Sequence, residues 1–126
     1  MIPLDLKVFI ATDYLLLALP EMERAVLESN GEVVGVESGI NPISINRSIK
    51  RLGANLLILA ISDNLNCQMI KAVKDKHPSV VIITIAKKLR QIPKLIKTKM
   101  VKAILFINED KELLIRAITE VVKGNR

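Results

Sequence analysis

At 126 residues the chain has the length of one domain, residues 1–126, able to bury about two thirds of the surface its unfolded form would expose. Half of the residues are apolar, yet Phe9, Tyr14 and Phe106 are the only aromatic ones, so the core has to be built from Ile, Leu and Val. The formal charge is +6; no apolar run approaches the ~18 residues of a membrane span, and Met-Ile-Pro-Leu-Asp at the start lacks the basic region of a signal peptide, which argues against membrane insertion and predicts a soluble chain, while the single Cys67 predicts a cytoplasmic one.

Five short runs rich in Val, Ile and Leu predict strands, and each run with the stretch that follows it takes roughly 23 to 26 residues, the length of one βαβ step. The first run, Leu6 to Ala11, is almost wholly apolar, as a strand covered on both faces must be. A helix follows through Glu21, Met22, Ala25, Val26 and Ser29, with Pro20 tolerable only in its first turn and Asn30-Gly31 as its stop. The second strand, Glu32 to Val36, leads through a loop over Ser38 to Pro42 into a helix from Ile43 to Leu52. That helix turns Ile45, Ile49 and Leu52 inward and Arg47, Lys50 and Arg51 outward, and Gly53 ends it.

The third strand is Leu56 to Ile61, and Asn64 or Asn66 can cap the next helix, which carries Met69, Ile70 and Val73 and closes at His77-Pro78. Cys67 has no partner for an internal disulfide and falls in an apolar helical pattern, which predicts a buried thiol in a reducing compartment. After the fourth strand, Val80 to Ile85, Pro93 allows only a short helix, with an apolar stripe of Leu89, Ile92, Leu95 and Ile96. The fifth strand is Ala103 to Ile107. The last helix is predicted to be capped by Asn108, to hold Glu109, Asp110 and Glu112 at its positive end, and to bury Leu113, Leu114, Ala117, Ile118 and Val121.

The charge is uneven along the chain. Lys87, Lys88, Arg90, Lys94, Lys97, Lys99 and Lys102 place seven cations in a stretch with no acid, which leaves 12 of the 19 basic residues to set against 13 acidic ones elsewhere. Such a run is either a solvated face or an interaction surface for an acidic protein or nucleic acid.

The order and spacing of these elements, entered by Lys7-Val-Phe-Ile-Ala-Thr-Asp13, resemble the receiver domain of bacterial response regulators, the CheY-like fold. Gly31-Glu-Val-Val-Gly35 is similar to the second strand of NarL-type receivers, Arg51 to Leu59 to the approach to the phosphorylation site, and His77 to Thr84 to the fourth strand. The resemblance implies a flavodoxin-like (βα)5 three-layer sandwich with a five-stranded parallel sheet in the order 2-1-3-4-5. It also implies where the phosphorylation machinery would stand. The acidic pair after the first strand falls on Thr12-Asp13, the acceptor aspartate on Ala60, the phosphoryl-binding hydroxyl on Thr84, the aromatic switch on Ile104 and the lysine on Ile107.

An alanine carries no nucleophile, so no acyl phosphate forms at position 60. Asp13 alone is a poor remnant of a Mg²⁺ site, and loss of the lysine at Ile107 together with the acid at Ala60 avoids leaving an unpaired cation. Asp63 reads as a turn or helix-start residue rather than a substitute acceptor. Cys67 and His77 lack a third partner for a nucleophile or metal site. Thr12 to Leu17 has no glycine with which to cradle a phosphate, so dinucleotide-binding and flavodoxin-type enzymes are excluded.

The expectation is therefore a non-enzymatic, cofactor-free degenerate receiver that signals by binding a protein partner, an acidic one among the candidates, with no metal. The surface of the fourth helix, fifth strand and fifth helix would serve for this and for a homodimer. The resemblance also implies a place at the front of transcription regulators or of pilus-localisation proteins, so the chain reads as an N-terminal piece of a longer one. Two alternatives stand beside it: a nucleic-acid-binding regulator using the Lys87 to Lys102 surface, and a small-ligand sensor in an apolar cleft near Ala60 and Ile107.

Overall fold

A computed structural model of the chain describes residues 6–12, 19–38, 41–61, 66–86, 92–106 and 111–124. Strands and helices alternate along it as β1 (Leu6–Thr12), α1 (Leu19–Glu28), β2 (Gly31–Ser38), α2 (Pro42–Leu52) and β3 (Leu56–Ile61), then α3 (Asn66–Lys76), β4 (Val81–Ala86), α4 (Ile92–Thr98), β5 (Ala103–Phe106) and α5 (Lys111–Gly124). All strand pairs are parallel, and the sheet runs β2-β1-β3-β4-β5.

That order explains the layering. The crossover from β1 to β2 steps one way across the sheet and the next three step the other way; since such crossovers are right-handed, α1 lands on one face and α2, α3 and α4 on the other. α5 returns to pack beside α1. Alternate strand residues feed the two sides. Val8, Ile10, Leu56, Ile58, Ala60, Ile83 and Ile85 meet Met22, Ala25 and Val26 of α1, while Phe9, Ala11, Leu57, Leu59 and Ile82 meet Ile45 and Ile49 of α2 and Met69, Ile70 and Val73 of α3. In β3 every residue from Leu56 to Ala60 is fully buried.

Local chemistry sets the boundaries. α2 starts at Pro42, one residue earlier than the apolar pattern predicts, because Asn41 accepts from the backbone N–H groups of Ile43 and Ser44 while Pro42 needs no acceptor. It stops at Gly53, whose φ of +69° and N–H bond to Ile49 O form a left-handed cap. Pro20 lies in the first turn of α1, as predicted, and Asn30 takes the left-handed turn (φ 61°) before β2. Asn55 fastens the start of the sheet, its Oδ1 accepting from Lys7 N and its N–H donating to Lys7 O, each at 2.9 Å. Lys74 Nζ closes the α3–β4 turn by donating to Val80 O at 2.6 Å and Pro78 O at 3.2 Å, and burial lowers its pKa.

Some predictions are corrected. β2 extends over Gly31–Ser38 rather than Glu32 to Val36, β1 includes Thr12, and β4 is displaced by one residue to Val81–Ala86. α4 is short and carries Pro93 at its second position. Leu113, expected in the core, is 38% exposed. Ile115 packs on the α1-side cluster instead, and positions two apart on a helix point about 200° apart, so both cannot face inward. The predicted caps Asn64 and Asn108 lie outside the described residues, and the Cys67 side chain is likewise not described.

β1 and β2 pair in register except between Val8 and Phe9, opposite which β2 holds the extra residue Val34. The next residue, Gly35, faces the Phe9 ring: a Cβ there would stand 2.9 Å from Phe9 Cε1 and 3.0 Å from Leu52 Cδ1. Gly35→Ala should therefore force Phe9 and Leu52 apart and cost about 1–3 kcal/mol, read as a lower urea midpoint at unchanged slope; an unchanged midpoint would show that the ring relaxes freely.

Candidate functional site

In an open parallel sheet the chemistry is sited at the carboxyl ends of the strands, and the alternating pattern decides which side chains meet there. Thr12 and Ala60 are direct cross-strand partners at the ends of β1 and β3, and both belong to the face covered by α1 and α5. Thr12 is 5% exposed and Ala60 fully buried. Ala60 also stands beside Ile85 of β4. What converges on this point from the described strands is a methyl group, a threonine and aliphatic neighbours.

Thr84 does not join them. It pairs with Leu59 on one side and Ile104 on the other, one residue behind Ala60, and so projects from the opposite face, where Leu59 and Ile104 belong to the cluster beneath α2, α3 and α4. Thr84 is fully buried, and its Oγ1 has no hydrogen-bond partner. A hydroxyl stranded among aliphatic groups costs roughly 1–3 kcal/mol. Its cross-strand partner Ile104 is partly buried against the same cluster, so the two positions linked to the hydroxyl and aromatic switch of receivers stand side by side on adjacent strands. Asp13 and Ile107 lie outside the described residues.

Of the basic run, Lys97, Lys99 and Lys102 are exposed, and Lys99 adopts a left-handed φ of 56° just after α4. Lys94 is on α4, with its side chain not described, and Lys87, Lys88 and Arg90 lie outside the described residues. β5 is the four-residue edge strand, and Lys102 N anchors its approach by donating to Ile82 O at 2.8 Å. A short edge flanked by lysine resists pairing with another strand. Among the described residues, no three His, Cys, Asp or Glu side chains gather in a metal-holding arrangement, and no helix is long and apolar enough to cross a membrane.

Residue-by-residue reading missed a contact between α2 and α3. His77 Nε2 lies 3.2 Å from Asn46 O, and Asn46 Nδ2 donates to Ala72 O at 3.2 Å. Neither residue has a signal in its own neighbourhood; the partners are 31 and 26 positions apart.

The fold is that of response-regulator receiver domains. The isolated receiver domain of RcsB from Salmonella enterica serovar Typhimurium, solved with the phosphomimetic BeF3−, matches with a TM-score of 0.80 at 20% identity, over 95% of this chain and 90% of that one. The signal receiver domain of the response regulator NarL from Mycobacterium tuberculosis matches at 0.74 and 16% identity, over 95% and 98%. A CheY-like protein, TadZ, from Pseudomonas aeruginosa matches at 0.69 and 9% identity, over 94% and 92%. No family model matches the sequence, and no curated protein matches it.

The orphaned hydroxyl of Thr84 generates a test. Thr84→Val replaces it by a methyl group of the same shape, so stability should rise by up to about 1 kcal/mol, measured by thermal or urea unfolding. A loss of stability would mean that the hydroxyl has a partner in solution.

Proposed function

We propose that the chain is a receiver-like signalling module that acts by binding a partner and takes no phosphoryl group. The observation that supports this is the buried methyl of Ala60 at the end of β3, where the receiver resemblance calls for the acceptor carboxylate. Phosphoryl transfer to a side chain needs an oxygen or nitrogen nucleophile, and a methyl group has none.

On this reading the protein is neither an enzyme nor a metal-dependent switch, and it works in the cytoplasm. Its message is carried by shape and surface charge. The exposed cations Lys97, Lys99 and Lys102 make the α4, β5 and α5 surface the place for an acidic protein partner, and the same surface serves a homodimer. The similarity in fold to the signal receiver domain of NarL supports a role in signalling.

Incubation with Mg²⁺ and either acetyl phosphate or beryllofluoride should leave the intact mass unchanged and the backbone amide spectrum unperturbed. A mass gain of one phosphoryl group, or shifts clustered about Thr12, Ala60 and Thr84, would overturn the proposal.

A further inference from the structure

Along the sequence the basicity collects in one run, but the fold also sorts the charge outside that run. On the α2, α3 and α4 side of the sheet, Arg47, Lys50, Arg51, Lys71, Lys76 and Lys97 are exposed, and Asp75 is the one exposed acid among the described residues of those helices. On the α1 and α5 side, the described charges are Arg24 and Arg116 against Glu23, Glu28, Glu112 and Glu120. Among the described side chains of the helices the excess of cations therefore lies in one layer, and α2 and α3 hold five of its six exposed cations.

Between those two helices the layer is grooved. The cavity, about 930 Å³, has an apolar strip of Pro42, Ile43 and Ala72, three cations, Arg47, Lys50 and Lys76, and a single acid, Asp75. Ile43 is 71% exposed, the most open of the large hydrophobic side chains described. The groove is also pre-shaped, because the Asn46–Ala72 and His77–Asn46 contacts tie α2 to the end of α3. Beneath it Asn46 Oδ1 is buried without a partner, an acceptor lacking a donor.

We propose that this groove seats an acidic segment of a partner protein, with an aliphatic side chain covering Ile43 and Pro42 and carboxylates meeting Arg47, Lys50 and Lys76. The proposal rests on the partner-binding reading above and adds a second seat for an acidic partner, on α2 and α3, apart from the α4, β5 and α5 surface. One feature favours such a segment over nucleic acid: a phosphate backbone gains nothing from the apolar strip of Pro42, Ile43 and Ala72, which an aliphatic side chain covers.

The test is an amide-resolved titration of the isotope-labelled chain with a synthetic helical peptide of about 14 residues carrying Leu at i, i+3, i+4 spacing and Glu elsewhere, beside a DNA duplex of about 20 base pairs. Peptide-induced shifts should centre on Ile43, Arg47, Lys50, Ala72 and Lys76. The double variant R47E/K50E should weaken binding about tenfold or more and Ile43→Ser about fivefold, whereas Lys97→Glu should change it less than about twofold. All are substitutions of exposed residues, and unfolding curves check that each variant is folded. Shifts confined to Lys97, Lys99 and Lys102 would overturn the groove proposal and leave partner binding standing. Absence of peptide binding would overturn the groove proposal, and duplex binding with a steep salt slope in its place would overturn both.

Discussion

A parallel sheet has to be covered on both faces, and the rest of this structure depends on that requirement. The central strand β3 meets this requirement most strictly, and from Leu56 to Ala60 each residue is apolar and fully buried. Each fully buried aliphatic side chain is worth roughly 1.5–3 kcal/mol, whereas a helix cap such as Asn41 contributes about 1 kcal/mol. The sandwich is held by its aliphatic interior, and caps and turn latches only decide where each element starts. Because side chains alternate between the two faces, the same requirement determines which strand-end residues can act together. Thr12 and Ala60 share one side of the sheet; Thr84 and Ile104 share the other.

The strands were readable because a doubly covered strand is a continuous run of Val, Ile and Leu between turn signals, and β3 was placed to the residue. The strand order came from the resemblance and agrees with the structure. Boundaries were less legible where a single side chain overrides the pattern, as Asn41 does in drawing Pro42 into α2. Leu113 was misassigned because α5 is apolar at adjacent positions, Leu113, Leu114 and Ile115, and local periodicity cannot choose among three neighbours which one the sheet will cover. The extra residue in β2 had no local signal beyond Gly35, whose role depends on an aromatic ring 26 residues earlier in the chain.

For the candidate site, the sequence identified which residue types occupy the receiver positions but not their relative orientation. That Thr84 turns away from Ala60 follows from a one-residue difference in register between β3 and β4, which no single-strand pattern contains. The α2–α3 groove was illegible for a different reason. Arg47 and Lys50 were seen as an outward face, and His77 as the end of a helix, but their neighbourhood is created by two crossovers that land on the same side of the sheet. Counting charge along the chain groups residues by number; the fold groups them by layer.

That grouping by layer has a consequence for how the molecule meets other bodies. With the described cations concentrated on the α2, α3 and α4 side and the described carboxylates in excess on the α1 and α5 side, these charges form a dipole across the thickness of the sandwich. Within a Debye length, about 10 Å at 0.1 M salt, such a dipole turns its α2 and α3 side toward a negatively charged body before contact. Encounter is thus steered by a field that dissolved ions erase, and the speed of association becomes a reporter of ionic strength.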